Sequence, residues 1–389
     1  MRITEIREIS AGLASTMRNA VIDFSKMTLS VVAVVTDARR DGYPIIGFGF
    51  NSNGRYSQGG VLRERLIPRL LEVEADSLLD DEGAIDPFRA QACMLQNEKP
   101  GGHGERAFAV GAIDAAIWDA VGKWKEKPLY KVFAERFNGG VFDSCVPVYP
   151  GGGYYDQKKG IEGLKSEMQG YLDTGYTLMK MKVGGATLGE DINRIEAVLS
   201  VIGASKNLAV DANAALDIEH ALKYAAAISN YELAWFEEPI DPLDYRGHAE
   251  LAAAATIPLA TGENVFSEID AQNLIRYGGL RRDRDWLQFD PSLCYGPTTF
   301  VEIVKMTEEM GWSSRRHIPH GGQLLGLHLA AGLQLGGTET YPLVFQPFGG
   351  FGDDDKIEDG RVHLPDAPGL GVELKSELYN KILKPLVDG

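Results

Sequence analysis

Leu178-Met179-Lys180-Met181-Lys182-Val183-Gly184-Gly185 is the stretch from which the fold of this chain is read. In an extended strand successive side chains point to opposite faces, so Lys180 and Lys182 share one face while Met179, Met181 and Val183 take the other. Two ammonium groups in one closed space oppose each other's protonation. A lysine pKa is then expected to fall from about 10.4 towards the range where the amine works as a base. Lysines also guard edge strands against aggregation, and Lys-x-Lys alone does not separate the two readings. Its surroundings do.

On both sides of this stretch the pattern alternates strand and helix at a regular pitch. Apolar runs at Val146 to Tyr149, Leu178 to Val183, Leu208 to Asp211, Ala234 to Glu237, Pro258 to Thr261 and Trp286 to Asp290 read as strands. Helical periodicity lies near Ile161 to Leu172, Asp191 to Val201, Ile218 to Ser229, Tyr245 to Ala254, Glu268 to Tyr277 and Thr298 to Met310. Repeated β-α units predict an α/β fold with a parallel sheet. So many within about 200 residues favour a closed, TIM-type (β/α) barrel over an open sheet. Two glycine-rich stretches do not redirect this. Gly151-Gly152-Gly153 lacks the dinucleotide spacing, and Gly184 to Gly189 is followed by Glu190-Asp191 where a phosphate loop needs Lys-Ser/Thr.

Before the barrel, Ile3 to Ile9, Leu29 to Val35 and Ile45 to Gly49 predict a β-meander with a turn at Arg40-Asp41-Gly42. Arg63 to Leu71, Pro87 to Met94 and Arg106 to Val121 then carry helical spacing. Together these give an N-terminal α+β capping domain over residues 1–140, a barrel over 141–345, and a turn-rich segment over 346–389 expected to return to the cap. Two polar loops of the cap are candidates for reaching a substrate. Phe50 to Tyr56 would deliver Asn51, Asn53 or Arg55, and Glu98 to Gly104 carries Lys99 and His103.

Composition bounds the partners. With 55 acidic against 39 basic residues the formal charge is −16, and no long basic run is present, so neither nucleic acid nor an anionic membrane is an expected partner. Cys93, Cys145 and Cys294 form neither a disulfide framework nor a zinc ribbon. The opening residues alternate apolar and polar without a signal core, and a reducing cytoplasm is the expected location. A homo-oligomer is the expected assembly.

In a barrel of this kind function collects at the C-terminal ends of the strands. There this sequence places Lys182, Asp211, Glu237, Glu263, Asp290, His320 and Glu339, separated, save for the last pair, by about one β-α unit each. Three carboxylates that converge need a proton or a cation between them, and hard oxygen ligands on adjacent strands suit Mg²⁺. Singly, each acid could instead cap the following helix. Asp290 beside His320 would fix the imidazole tautomer and raise its basicity. His317 and His320 could form a zinc pair, but no His-x-His occurs and the nearby acids are hard ligands. A cation flanked by the lysines and by an Asp-His pair suits removal of a proton next to a carboxylate. From there the residues leave two outcomes open: proton exchange between faces, which racemises or epimerises, and loss of a β-hydroxyl, which dehydrates.

Lys180-Met181-Lys182, the Asp211/Glu237/Glu263 series, Asp290 with His320, and Pro368-Gly369-Leu370-Gly371 near the end resemble the mandelate racemase subgroup of the enolase superfamily. The resemblance covers nearly the whole chain. It implies a modified (β/α) barrel with a capping domain, Lys182 as base with Lys180 as its neighbour, and Asp211, Glu237 and Glu263 as Mg²⁺ ligands. It further implies Asp290-His320 as a catalytic dyad and Glu339 as the eighth-strand glutamate. The implied substrate is a small hydroxy-diacid or acid sugar, with dehydration of tartrate to oxaloacetate as the expected reaction. Lys180, Arg55, Lys99 and the flap asparagines are the candidates for its far end, with Asn213, two residues past Asp211, beside the metal.

Overall fold

Three antiparallel strands, β1 (Ile3–Gly12), β2 (Thr28–Arg40) and β3 (Tyr43–Phe50), open the chain in the order β1-β2-β3. The computed structural model describes every residue except Ala14, Asn53, Gly54, Gln157 and Gly389. The helix Glu105–Trp124 lies against this sheet and is buried along nearly its whole length. Close approach is possible because Gly47 and Gly49 carry no Cβ. A methyl at either would stand 1.9 Å from Ala116 O or 2.3 Å from Ala112 O.

The barrel begins at β4 (Cys145–Gly152) and continues through β5 (Met179–Lys182), β6 (Leu208–Asp211), β7 (Phe236–Glu237), β8 (Leu259–Thr261) and β9 (Trp286–Leu287), each parallel to the next. Residues 317–320 close the gap to β10 (Thr338–Thr340). Ile318 N–H donates to Leu287 O at 2.8 Å and Gly336 N–H to His317 O at 2.9 Å, and β10 pairs in parallel with β4. The ring is therefore complete, as the repeated β-α pattern predicts.

Several barrel strands are shorter than their apolar runs, and the cause is local. Glu238 turns at φ 38° with Pro239 behind it, Gly262 turns at φ 130°, and Asn213 and Ala214 follow β6 at φ 47° and 57°. These left-handed turns end the ladder at the barrel mouth and lay the adjoining side chains around it. The helix Leu324–Gly332 escaped the periodicity argument because all nine of its residues are buried, leaving no polar stripe to betray it. Leu129–Phe137 is a further helix, entered through Pro128.

Several joints bind the N-terminal unit to the rest. Asp114, inside the long helix, accepts from Thr298 N–H at 2.9 Å and Thr298 Oγ at 2.8 Å, capping the helix Pro297–Glu309 from another element. Asp119, one turn on, accepts from Phe48 N–H at 2.8 Å, Lys123 Nζ at 2.6 Å and Leu370 N–H at 2.7 Å. The carbonyl of Leu370 accepts from His328 Nε2 at 3.0 Å, while His328 Nδ1 accepts from Tyr130 N–H at 3.1 Å, which fixes that tautomer. The tail ends on β1, where Arg7 Nη1 donates to Leu386 O at 3.2 Å and Val387 O at 2.8 Å. No described helix is long and apolar enough to cross a membrane.

Candidate active site

The strand register builds the centre directly. Lys182 pairs with Asp211 across β5 and β6, and Asp211 with Glu237 across β6 and β7, so three charged side chains stand abreast at one level of the ring. Glu263 joins from the turn after β8. One ligand oxygen from each of Asp211, Glu237 and Glu263 can be chosen so that all lie within 4.8 Å of one another. All three residues are buried, and Glu263 Oε2 has no hydrogen-bond partner. An orphaned carboxylate oxygen in a cluster of hard oxygen donors fits Mg²⁺, the cation expected from the sequence.

Burial and the two lysines act unevenly on the cluster. Burial, reinforced by Asp211, Glu339 and Glu263, pushes Glu237 up to about 8 against the pull of Lys180. Asp211 is held well below the usual carboxylate range, since Lys182 and Lys180 outweigh its burial. Glu237 Oε2 also accepts from Trp235 Nε1 and Gln288 Nε2, each at 2.8 Å.

The two lysines part company. Lys182 Nζ lies 2.5 Å from Asp211 Oδ2 and 5.2 Å from the Tyr154 ring centroid, and it lines a chamber of about 880 Å³ at the barrel mouth. Lys180 is fully buried beneath, against Glu237, with Glu339 at 2.8 Å and Asp211 at 3.2 Å. The expected depression of a lysine pKa by its neighbour does not hold for Lys180. Burial works to lower it, but Glu237, Glu339 and Asp211 raise it well above the ordinary lysine value. Nor does Lys180 line the chamber, so it is not placed to meet the far end of a substrate.

Opposite the lysines in the ring, Asp290 Oδ2 lies 2.7 Å from His320 Nδ1 and Asp290 Oδ1 accepts from Ser292 N–H at 2.7 Å. This leaves His320 Nε2 facing Glu263 Oε2 at 3.2 Å and Tyr341 Oη at 3.3 Å. Burial alone would lower His320, but Glu263, the bond to Asp290 and Glu339 carry it up to about 9. His317 shares no ligand cluster with it: Nε2 meets Thr307 Oγ at 2.8 Å, and burial holds the ring neutral.

The remaining candidates scatter. Asn213 and Arg55 line the chamber, the guanidinium standing 5.9 Å and 5.8 Å from the ring centroids of Phe108 and Phe266. Glu339 lies below, receiving Tyr341 Oη at 2.9 Å. Asn51 is a correction: buried, it accepts from Ser30 N–H at 2.7 Å and donates to Arg55 O at 3.3 Å, so it anchors the flap from within rather than reaching outward. Lys99 is exposed and outside the chamber lining, which its loop joins only from Gly101 onward. Asn53 lies outside the described residues. His103 does line the chamber, its Nδ1 2.9 Å from Tyr295 Oη.

Tyr154, Tyr341, Asn264, Glu238, Trp235 and Gln288 were not singled out in the sequence, and the strand period holds a signal for three of them. Trp235, Gln288 and Tyr341 each sit two residues from Glu237, Asp290 or Glu339, on the same face of a strand or its extension.

Comparison with known proteins agrees with this centre. Residues 163–378 match the family model described as enolase C-terminal domain-like. Arabinonate dehydratase of Saccharolobus solfataricus is 31% identical over 374 residues, covering 93% of each chain. The structure of L-talarate dehydratase from Polaromonas sp. JS666, complexed with Mg and L-glucarate, superposes with a TM-score of 0.76 at 27% identity, covering 94% of this chain and 92% of that one. A racemase from Streptomyces coelicolor with bound magnesium gives 0.75 at 26%, covering 94% and 95%. With a matching family model over more than half its length, and relatives aligned from cap to tail, the chain belongs to the enolase superfamily.

Proposed function

We propose that this protein is a Mg²⁺-dependent dehydratase of an acid sugar. The observation that carries the reading is the pairing, in one chamber, of Lys182 with the Asp290-His320 dyad on non-adjacent strands, with three buried carboxylates between them. Asp211, Glu237 and Glu263 would hold the cation, which when bound supplies a positive charge for the substrate carboxylate and for the negative charge that develops on it.

The chain's own groups do the proton work. Lys182 Nζ, as free base, takes the proton from C2. His320 Nε2 gives its proton to the C3 hydroxyl, which leaves as water with the C–O bonding pair. The resulting enol ketonises to a 2-keto-3-deoxy acid, and atoms and charge balance without an oxidant. Asp290 holds Nδ1 and so aims Nε2 at the leaving group. Asn213 Oδ1, buried and without a partner, is an acceptor for a substrate hydroxyl.

The finer proposal is D-tartrate, giving oxaloacetate and water. Arg55 at the chamber wall, a cation for a second carboxylate, supports it. A chamber of about 880 Å³ also accommodates five- and six-carbon aldonic or aldaric acids, in line with the arabinonate and talarate dehydratases. A panel of both classes, D-tartrate included, assayed for 2-keto acid with Mg²⁺ tests the proposal, and turnover of none would defeat it. The racemase relative favours a second reading, epimerisation of a 2-hydroxy acid. Solvent deuterium in recovered substrate of inverted configuration, without keto acid, would select it.

A further inference from the structure

The side chain of Asn264 lies where the N-terminal unit meets the carboxylate cluster, and all of its hydrogen-bonding groups are engaged. Its Oδ1 accepts from Arg55 Nη2, and its Nδ2 donates to Glu238 Oε2 at 2.7 Å and to Glu263 Oε1 at 3.1 Å. The orientation of the amide is forced. A guanidinium can only donate, so the amide oxygen must face Arg55 and the NH2 group the two carboxyl groups. Arg55 itself sits over the edge-to-face pair of Phe108 and Phe266, whose centroids are 4.8 Å apart at 88° and lie 5.9 Å and 5.8 Å from the guanidinium. One oxygen of Glu263 is thus fixed by Asn264, while the other, Oε2, is buried, makes no hydrogen bond and faces His320 Nε2 at 3.2 Å, with the carboxylates of Asp211 and Glu237 close by.

We propose that Asn264 is a positioning residue for the cation site, passing the seat of Arg55 in the cap loop to the metal-facing carboxylate of Glu263, so that cation binding and ordering of residues 55–58 are one coupled event. The inference rests on the reading that Asp211, Glu237 and Glu263 hold a divalent cation. It makes the cap loop and the cation linked ligands of one another, and such coupling is reciprocal.

Calorimetric titration of the metal-free full chain with MgCl₂, without substrate, tests it. Wild type should bind. Asn264→Ala should bind about 10–100-fold more weakly, the usual effect of removing a group that orients a metal ligand. Arg55→Ala should shift affinity the same way by less, and the double variant should match Asn264→Ala, because both changes break one chain of contacts. Hydrogen exchange supplies an independent arm: Mg²⁺ should slow exchange at residues 55–58 in wild type and not in Arg55→Ala. A merely structural role would instead lower the melting temperature of the metal-free variant and leave Mg²⁺ affinity unchanged. Wild-type affinity in Asn264→Ala, additive effects in the double variant, or no Mg²⁺-dependent protection of 55–58 each overturns the proposal, the last even if Asn264→Ala does not fold. Failure of wild type to bind Mg²⁺ at all would remove the cation reading, and the proposal with it. Binding by wild type that Asn264→Ala retains would remove the proposal alone.

Discussion

At the scale of single residues the two proposed proton-transfer groups separate by experiment. Lys182→Ala should reduce keto-acid formation by about 10²–10⁴-fold or more, the range for loss of a general base, and should also stop exchange of the substrate C2 proton with solvent. His320→Asn should abolish keto acid equally but keep C2 exchange, because Lys182 still takes the proton. Loss of exchange in both variants, followed by NMR in D₂O, would contradict the division of labour. His320 also makes a pH prediction for the metal-free protein. Its folded pKa, about 9, lies above the unfolded value near 6.5. The folded state therefore holds the proton more tightly, and the stability this contributes is full below pH 6.5 and is lost as pH rises through 9. Denaturant melts in EDTA from pH 6 to 9.5 should show this decline in wild type, and His320→Asn should lessen it between pH 8 and 9.5, where Glu237 and Asp114, raised to about 8 and about 7, contribute least. Lys180 shows where sequence reasoning stops. That Lys180 and Lys182 share a face followed from period two alone, but which of them reaches the chamber depends on depth in the barrel. A strand pattern holds no information on depth.

Among the elements, those whose faces differ in polarity were legible to within a few residues, as at Tyr245–Ala254 and Glu268–Tyr277. Two that escaped had no such contrast: Leu324–Gly332 is buried all round, and residues 317–320 close the ring by bridges too sparse to form a strand. The site followed the same rule. Acids at strand ends were legible because each follows an apolar run, while Asn51 and Lys99 depend on loop conformation, which composition does not set. Asp114 carries the element-scale prediction. Removing it leaves Thr298 N–H, at the first turn of Pro297–Glu309, buried without an acceptor, so Asp114→Ala should lower stability by about 1–3 kcal/mol. Asp114→Asn can still accept from the amide and reach the hydroxyl. Because burial lifts the Asp114 carboxyl to about 7, the wild-type side chain bears a disfavoured charge above neutrality. Asp114→Asn should then be as stable as wild type or more so at pH 8, checked by chemical denaturation. A loss there matching Asp114→Ala would show that the charge itself holds the joint.

Across the whole molecule the buried charges make the protein a thermodynamic partner of its cation. A ligand that binds only the folded state adds about 2.7 kcal/mol at one hundred times its dissociation constant. Saturating MgCl₂ should therefore raise the melting temperature over an EDTA-treated sample, and Glu263→Gln should shrink that rise. An equal rise in the variant would place the cation elsewhere. The tail has a consequence of another kind, in the order of assembly. β1 is synthesised long before the residues that hold it, since Arg7 finds its carbonyl partners at Leu386 and Val387, and Asp119 finds one of its donors at Leu370. The N-terminal unit thus waits, with part of its surface uncovered, until Leu370, Leu386 and Val387 have been translated. A chain halted before residue 370 would carry a finished barrel ring beneath a roof that cannot lock.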